Sequence, residues 1–245
     1  MLSTFAIEFN GITKKYGNSL AVDNLNLSIP SGELFGFLGP NGAGKTTAMK
    51  IAAGLVRATG GKVKICGYDL ESHSLEAKRL LGFVPESPYI YESLTGREFL
   101  HYCAGLYRLS NPVTLEKVEE LCEGFGIGSW ADRRAGEYSH GMKQRIVMAS
   151  AFLHNPKVIL IDEPMVGLDP AGVKLVKTIL TSFCGKGGSV FLSTHTLTNA
   201  EELCDRVAII KSGNVVKLDN MSELTDGNIP LEEVFLLLTS EDGGS

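Results

Sequence analysis

Apolar and polar residues alternate with period two near the start of the chain, in FAIEF at 5–9 and LNLSI at 25–29, as in strands that bury one face. ELFGFLG at 33–39 is apolar at nearly every position and stops at glycine, proline and asparagine, which predicts a buried parallel strand entering a loop. A helix over 45–55 follows, then short strands in KVKIC at 62–66 and GFVP at 82–85. From about 87 to 155 the period becomes helical. Phe99, Leu100, Cys103, Leu106 and Tyr107 fall on one face behind a capping box of Thr95 and Glu98. Sheet signals return in KVILID at 157–162, SVFLST at 189–194 and RVAIIK at 206–211, with helical stretches between them. A second capping box, Thr198 with Glu201, opens one of these, and a hairpin is expected around Ser212, Gly213 and Asn214. LEEVFLLLT puts Leu231, Val234, Phe235 and Leu238 at helical spacing, and EDGGS reads as a frayed end. The order predicts an α/β core interrupted by a helical insertion.

Composition narrows the class. With 245 residues, 44% of them hydrophobic, the chain can bury one substantial core and a smaller subdomain. Lysine and arginine total 23 against 28 acidic residues, a net charge of -5, so no basic face for nucleic acid is expected. The 5 cysteines (Cys66, Cys103, Cys122, Cys184, Cys204) are scattered, never in C-x-x-C, which fits a reducing compartment. MLSTFAIEFNG lacks a basic segment followed by an apolar one, so no secretory signal is expected. The longest apolar runs, VILI at 158–161 and VFLLL at 234–238, fall far below the roughly 20 residues that cross a bilayer. At a membrane, another chain would have to do the spanning.

The chemistry begins at GPNGAGKTT, residues 39–47, which matches G-x-x-x-x-G-K-[ST] with a strand before it and a helix after it. Its glycines let backbone N–H groups close around phosphate oxygens, and the helix N-terminus adds favourable potential. Lys45 is placed to reach the outer phosphates and the Thr46 hydroxyl to ligand magnesium. VILIDEP at 158–164 delivers two acids to the end of a buried strand: Asp162 as a magnesium ligand, Glu163 to orient or deprotonate the attacking water. His195 follows SVFLST just as Asp162 follows its own strand, so both are expected at one edge of a parallel sheet. SHGMK at 139–143 crowds polar and flexible residues at the head of a helix whose body would pack through Ile146, Ala149 and Phe152.

Together these residues resemble the ATP-binding cassette family of transporter ATPases, in motif order across nearly the whole chain. GPNGAGKTT, from Gly39, Pro40, Asn41, Gly42, Ala43 and Gly44 to Lys45, Thr46 and Thr47, looks like Walker A, and VILIDEP like Walker B with its catalytic Glu163. GLDP at 167–170, containing Asp169, looks like the D-loop, and STHT at 193–196 like the switch-histidine loop. Tyr16 sits where the family stacks an aromatic on adenine. SHGMK resembles the signature motif LSGGQ, with Tyr138 for leucine, His140 for the first glycine and Met142 for glutamine, while Ser139 and Gly141 remain. Glu86 stands where the family has a glutamine that ligands magnesium, and PYIY at 88–91 lies where it receives the membrane subunit, although those residues could instead plug the subdomain core.

The resemblance implies a P-loop NTPase core with an antiparallel β subdomain and an inserted α-helical subdomain at about 87–155. The ATPase domain would occupy 1–230, with a C-terminal helix and tail at 231–245. It implies ATP and Mg2+ as ligands, and a second cassette whose signature motif, including Ser139, His140 and Gly141, covers the nucleotide of the first. Membrane-spanning partners, a place on the cytoplasmic face of the membrane, and export over import complete the expectation. A soluble cassette ATPase acting on DNA or ribosomes is the alternative. The interval from Thr46 to Ser139 is too short for the long coiled coil of the DNA-maintenance members, and the translation members usually fuse two cassettes. A GTPase would need the guanine-specifying N-K-x-D, which is absent, and a P-loop kinase leaves SHGMK, GLDP and the switch histidine unexplained.

Overall fold

A computed structural model describes residues 4–109, 111–225 and 229–240. Strands β1 (Phe5–Tyr16) and β2 (Ser19–Pro30) form a long antiparallel hairpin, register running from Phe5 opposite Pro30 to Tyr16 opposite Ser19. Both extend beyond their alternating segments, because register shifts between Phe9 and Lys15 absorb residues that break the pattern. Strand β3 (Leu34–Leu38) leads into helix α1 (Lys45–Ala52). Strand β4 (Gly60–Ile65) pairs with β1 and with β5 (Tyr68–Asp69), and helix α2 (Ser74–Arg79) precedes β6 (Leu81–Val84).

Helices α3 (Gly96–Leu106), α4 (Asn111–Gly124) and α5 (His140–Ala151) occupy the interval to β7 (Val158–Asp162). Helicity thus starts at 96, not 87, since residues 85–95 form irregular chain and turns. The predicted capping box is present: Thr95 N–H donates to Glu98 Oε2 at 2.8 Å and Glu98 N–H to Thr95 Oγ1 at 3.1 Å. Phe99 and Leu100 are buried as expected, but Leu106 and Tyr107 are exposed. The helix ends at Leu106, beyond the insertion's core, and Tyr107 turns to stack on His154, centroids 3.9 Å apart.

Helix α6 (Pro170–Gly185), strand β8 (Ser189–Thr194), helix α7 (Leu197–Leu203), strands β9 (Arg206–Lys211) and β10 (Asn214–Asn220), and helices α8 (Met221–Leu224) and α9 (Leu231–Thr239) complete the order. The Thr198–Glu201 capping box does not form. Helix α7 starts at Leu197 with Thr196 at its cap, so Thr198 lies inside the first turn. In α9, Leu231 is buried and Val234, Phe235 and Leu238 pack on the core, while the expected frayed segment 241–245 lies outside the described residues.

The larger sheet has the order β10-β9-β3-β8-β7-β6, parallel except for the β9/β10 hairpin. Its central strands are buried on both faces. Phe35, Phe37, Leu160 and Phe191 point to one core, shared with α1 and the antiparallel sheet, and Leu34, Leu38, Ile159, Ile161 and Leu192 to the other, shared with the helical insertion. This accounts for the continuous apolar runs. Phe191 joins the two sheets, with ring centroids 5.8 Å from Phe9 and 5.3 Å from Phe37. Burying such a side chain contributes about 1.5–3 kcal/mol.

Candidate functional site

Three adjacent parallel strands, β3, β8 and β7, carry the chemistry to one edge. Leu38 pairs with Thr194 and Asp162 with Ser193, so the loops after these strands leave the sheet side by side. β6 lies beyond β7 and sends its chain on to Glu86. At this edge opens a cleft of about 240 Å³ lined by Asn41, Gly42, Gly44, Lys45, Thr46, Thr47, Glu86, Asp162, Glu163 and His195. Ala21 of β2 completes the wall; nothing in the sequence marked it, since it contributes position and no chemistry. Gly39, Pro40 and Ala43 shape the loop from behind the cleft: the first two offer their carbonyls to Lys45, and Ala43 is buried in the core.

The loop's backbone is prepared for an anion. Gly44 caps α1 at φ +109 without a side chain, and a Cβ there would stand 2.3 Å from the Ala21 carbonyl oxygen. The first intrahelical bond is from Ala48 N–H to Gly44 O at 2.9 Å, so the N–H groups of Lys45, Thr46 and Thr47 have no acceptor within the helix. Lys45 Nζ donates to Gly39 O at 2.7 Å and Pro40 O at 3.1 Å. Burial pulls its pKa down, against the opposing charges of Glu163, Asp162 and Glu86.

Glu163 is held more tightly than its position after a strand suggested. Its Oε1 accepts from the His195 backbone N–H at 2.9 Å and from Nδ1 at 2.7 Å, and its Oε2 accepts from Thr194 Oγ1 at 3.0 Å. Thr194 Oγ1 in turn accepts from Thr196 N–H at 3.0 Å. Because a carboxylate only accepts, Nδ1 of His195 carries the proton in this pair. Glu163 is buried with φ +51, a left-handed conformation costing a non-glycine residue about 1–3 kcal/mol, a strain that clusters at functional sites. Asp162, also buried, accepts from Ser193 Oγ. Ser193 and Thr194 stand inside STHT without a role of their own in the motif-based reading, although the parallel pairing of SVFLST with VILID would have placed their hydroxyls beside the two acids.

Magnesium fits this donor set. The Thr46 hydroxyl and the carboxylates of Asp162 and Glu86 face the same cleft, and magnesium takes oxygen ligands from one or two carboxylates together with phosphate and water.

The remaining predicted residues lie elsewhere: none of Tyr16, Ser139, His140, Gly141 and Asp169 lines the cleft. Tyr16 is half exposed, and Lys14 Nζ sits 4.8 Å from its ring centroid. Ser139 caps α5, accepting from Met142 N–H at 3.3 Å, and Asp169 caps α6, accepting from Gly172 N–H at 2.9 Å. Tyr138 is a structural clamp: its buried hydroxyl accepts from Gly96 N–H at 3.0 Å and lies 2.9 Å from the Arg133 carbonyl oxygen. PYIY divides its side chains, with Ile90 buried and Tyr89 and Tyr91 exposed. Tyr91 makes edge contacts with Tyr89 and Tyr102, at 5.6 and 5.7 Å between centroids.

A phosphate loop, a strand-end acid pair and His195 converging on one edge of a mostly parallel sheet define a P-loop nucleoside triphosphatase with a helical insertion. The family model for ABC transporters matches residues 22–166, and the chain belongs to this family as an ATP-binding ATPase component. It is 36% identical to the bacitracin transport ATP-binding protein BcrA of Enterococcus faecalis, over 93% of this chain and 73% of that one. It is 37% identical to the daunorubicin/doxorubicin resistance ATP-binding protein DrrA of Streptomyces peucetius, over 90% and 67%. The solved structure of an ATP-binding subunit of an ABC transporter superposes with a TM-score of 0.88 at 30% identity, covering 95% of this chain and 99% of that one. The chain spans 60% to 73% of the length of the curated relatives it matches. Among the described residues no helix is long and apolar enough to cross a membrane.

Proposed function

We propose that this chain is the ATP-hydrolysing subunit of an exporter, working as one of two cassettes at the cytoplasmic face of a membrane and driving membrane-spanning partners. One observation carries the reading: the cleft supplies the phosphate loop, the acids and His195, whereas Ser139, Gly141 and Asp169 lie outside it on the same chain. A second cassette, identical or similar, would bring its own Ser139 and Gly141 over the nucleotide and complete the site. Relatives named for bacitracin transport and drug resistance favour export.

In the cleft, the free N–H groups of α1 and the Lys45 ammonium receive the phosphates, and Lys45 exchanges its bonds to Gly39 and Pro40 for phosphate oxygens. Thr46, Asp162 and Glu86 would hold magnesium, directly or through water, and the ion would neutralise charge developing on the phosphate oxygens. A carboxylate has about four lone-pair sites. Three of those on Glu163 are taken by His195 N–H, Nδ1–H and Thr194, leaving one for the attacking water. As the water oxygen bonds to the γ-phosphorus, its proton passes to Glu163 and ADP leaves. Nε2 is the ring nitrogen of His195 left to donate to phosphate, which it does when both ring nitrogens carry a proton. Tyr16 would stack on adenine, and the exposed Tyr89, Tyr91 and Tyr102 would receive the membrane subunit. The segment from α3 to α5 would move as a subdomain coupled to the nucleotide through Glu86.

The test is co-purification of the tagged chain in mild detergent. A membrane-spanning protein that accompanies it and raises its ATPase rate supports the proposal; a chain recovered alone, with turnover indifferent to membranes, overturns it.

A further inference from the structure

The head of α5 touches its own GLDP loop through the one residue at which this chain departs most from the familiar signature. A Cβ on Gly167 would lie 2.4 Å from Cδ2 of His140, 3.1 Å from Cγ and 3.3 Å from Nε2, so the imidazole occupies the space beside this glycine. Gly167 adopts φ +75, and a Cβ on Gly141 would stand 2.7 Å from its carbonyl oxygen. The first two residues of α5 therefore both rest on Gly167. Neither ring nitrogen of His140 makes a hydrogen bond among the described residues, so shape alone holds the contact. Gly167 follows Glu163 by two turns: Val166 N–H donates to Glu163 O at 3.4 Å, and Leu168 N–H to Met165 O at 3.3 Å.

We infer that His140 is a positioning residue acting within its own chain, a spacer that sets the GLDP loop against the signature helix and, through that loop, fixes the backbone of Glu163. It rests on the reading of Ser139 and Gly141 as the second cassette's share of the site, and it assigns the ring to packing instead of to a partner's phosphate. When a nucleotide engages Ser139 and Gly141, any shift of the α5 head reaches the partner-facing loop and Glu163 through the contacts on Gly167, of which the His140 ring is the side-chain one. A glycine at position 140 would leave that contact slack. A neutral ring of similar width would keep it, since no charge or hydrogen bond takes part.

The experiment is steady-state ATPase on the full chain with its membrane partner, for His140→Gly, His140→Phe, Gly167→Ala and the His140→Gly/Gly167→Ala double variant. Misplacing catalytic groups by a fraction of an ångström costs on the order of tenfold in rate. His140→Gly should therefore lower kcat about tenfold with KM for ATP within about twofold, while His140→Phe stays within about twofold of the parent in both. Gly167→Ala forces a methyl into the ring and also strains the backbone at φ +75, so it should be impaired; the double variant, with the ring gone but the strain kept, should lose less than the product of the two single losses. Strictly additive losses would overturn the contact. A His140→Phe variant that is as impaired as His140→Gly while melting at the parent's temperature would return the imidazole to phosphate binding. Ser139→Ala is the separate control: if ATP-driven dimerisation survives it, the second-cassette reading fails, whereas the double-variant cycle still reports on the contact.

Discussion

Replacing Glu163 by glutamine isolates the proton-accepting role, because the structure shows what the new amide can and cannot satisfy. Its oxygen can take the Oε1 position and keep both bonds from His195. Its NH2 then meets Thr194 Oγ1, which already accepts from Thr196 N–H and can rotate its proton away. The side chain fits without a clash. What is lost is charge: hydrogen bonds to a charged group are worth about 1.5–3 kcal/mol and neutral ones about 0.5–1.5, so three weakened bonds cost about 3–4.5 kcal/mol. The strained φ of Glu163 is unchanged. Lys45 loses the largest charge opposing the fall in its pKa, but a carboxylate that would repel the phosphates goes with it, so ATP binding is retained. Removal of the general base should lower kcat about 10²–10⁴-fold. Phosphate release measured at saturating ATP checks the rate, and light scattering with ATP checks for an accumulated dimer. A kcat within about tenfold of the parent would refute Glu163 as base, and a monomer at all ATP concentrations would refute the closed pair.

Glu86→Gln removes one of the three carboxylates that face Lys45 and the phosphates, so KM for ATP should fall about two- to tenfold while the magnesium concentration needed for half-maximal rate changes; Glu86→Ala with both unaltered in titration would dismiss Glu86 as a ligand. Tyr138→Phe leaves Gly96 N–H buried without its acceptor, at about 1–3 kcal/mol, which in a chain this long lowers Tm by about 2–12 °C in calorimetry and leaves KM for ATP unchanged. Burial pushes the Cys103 and Cys184 thiols up from 9.0 to about 11. At pH 8 both should alkylate about 100-fold more slowly than a free thiol, as read by mass spectrometry. The same shift makes the unfolded chain the one that ionises first, so these two groups reduce folding stability as pH rises from about 9 to 11.

Much of this was legible in the sequence because the motifs are local. GPNGAGKTT sets its own loop conformation through glycine, and VILIDEP and SVFLST mark strands that end on chemistry. The Thr95–Glu98 box was visible because capping needs only residues within one turn. The interactions it did not reveal depend on residues far apart in sequence. Thr194 and Ser193 become partners of Glu163 and Asp162 only because β8 lies beside β7 in parallel register. Thr196, not Thr198, takes the N-cap position of α7, without a side-chain cap, and its N–H binds Thr194 Oγ1 at the strand end. Tyr138 looked like a lost leucine and is a clamp onto Gly96, 42 positions away. His140 looked like a stray ring beside a phosphate site and packs on Gly167 of its own chain. Periodicity and motif spacing are properties of a single segment, so the sequence alone determined the phosphate loop, the strand-end acids and His195. Strand order, register and close packing belong to segments brought together, and they decided what holds each group in place.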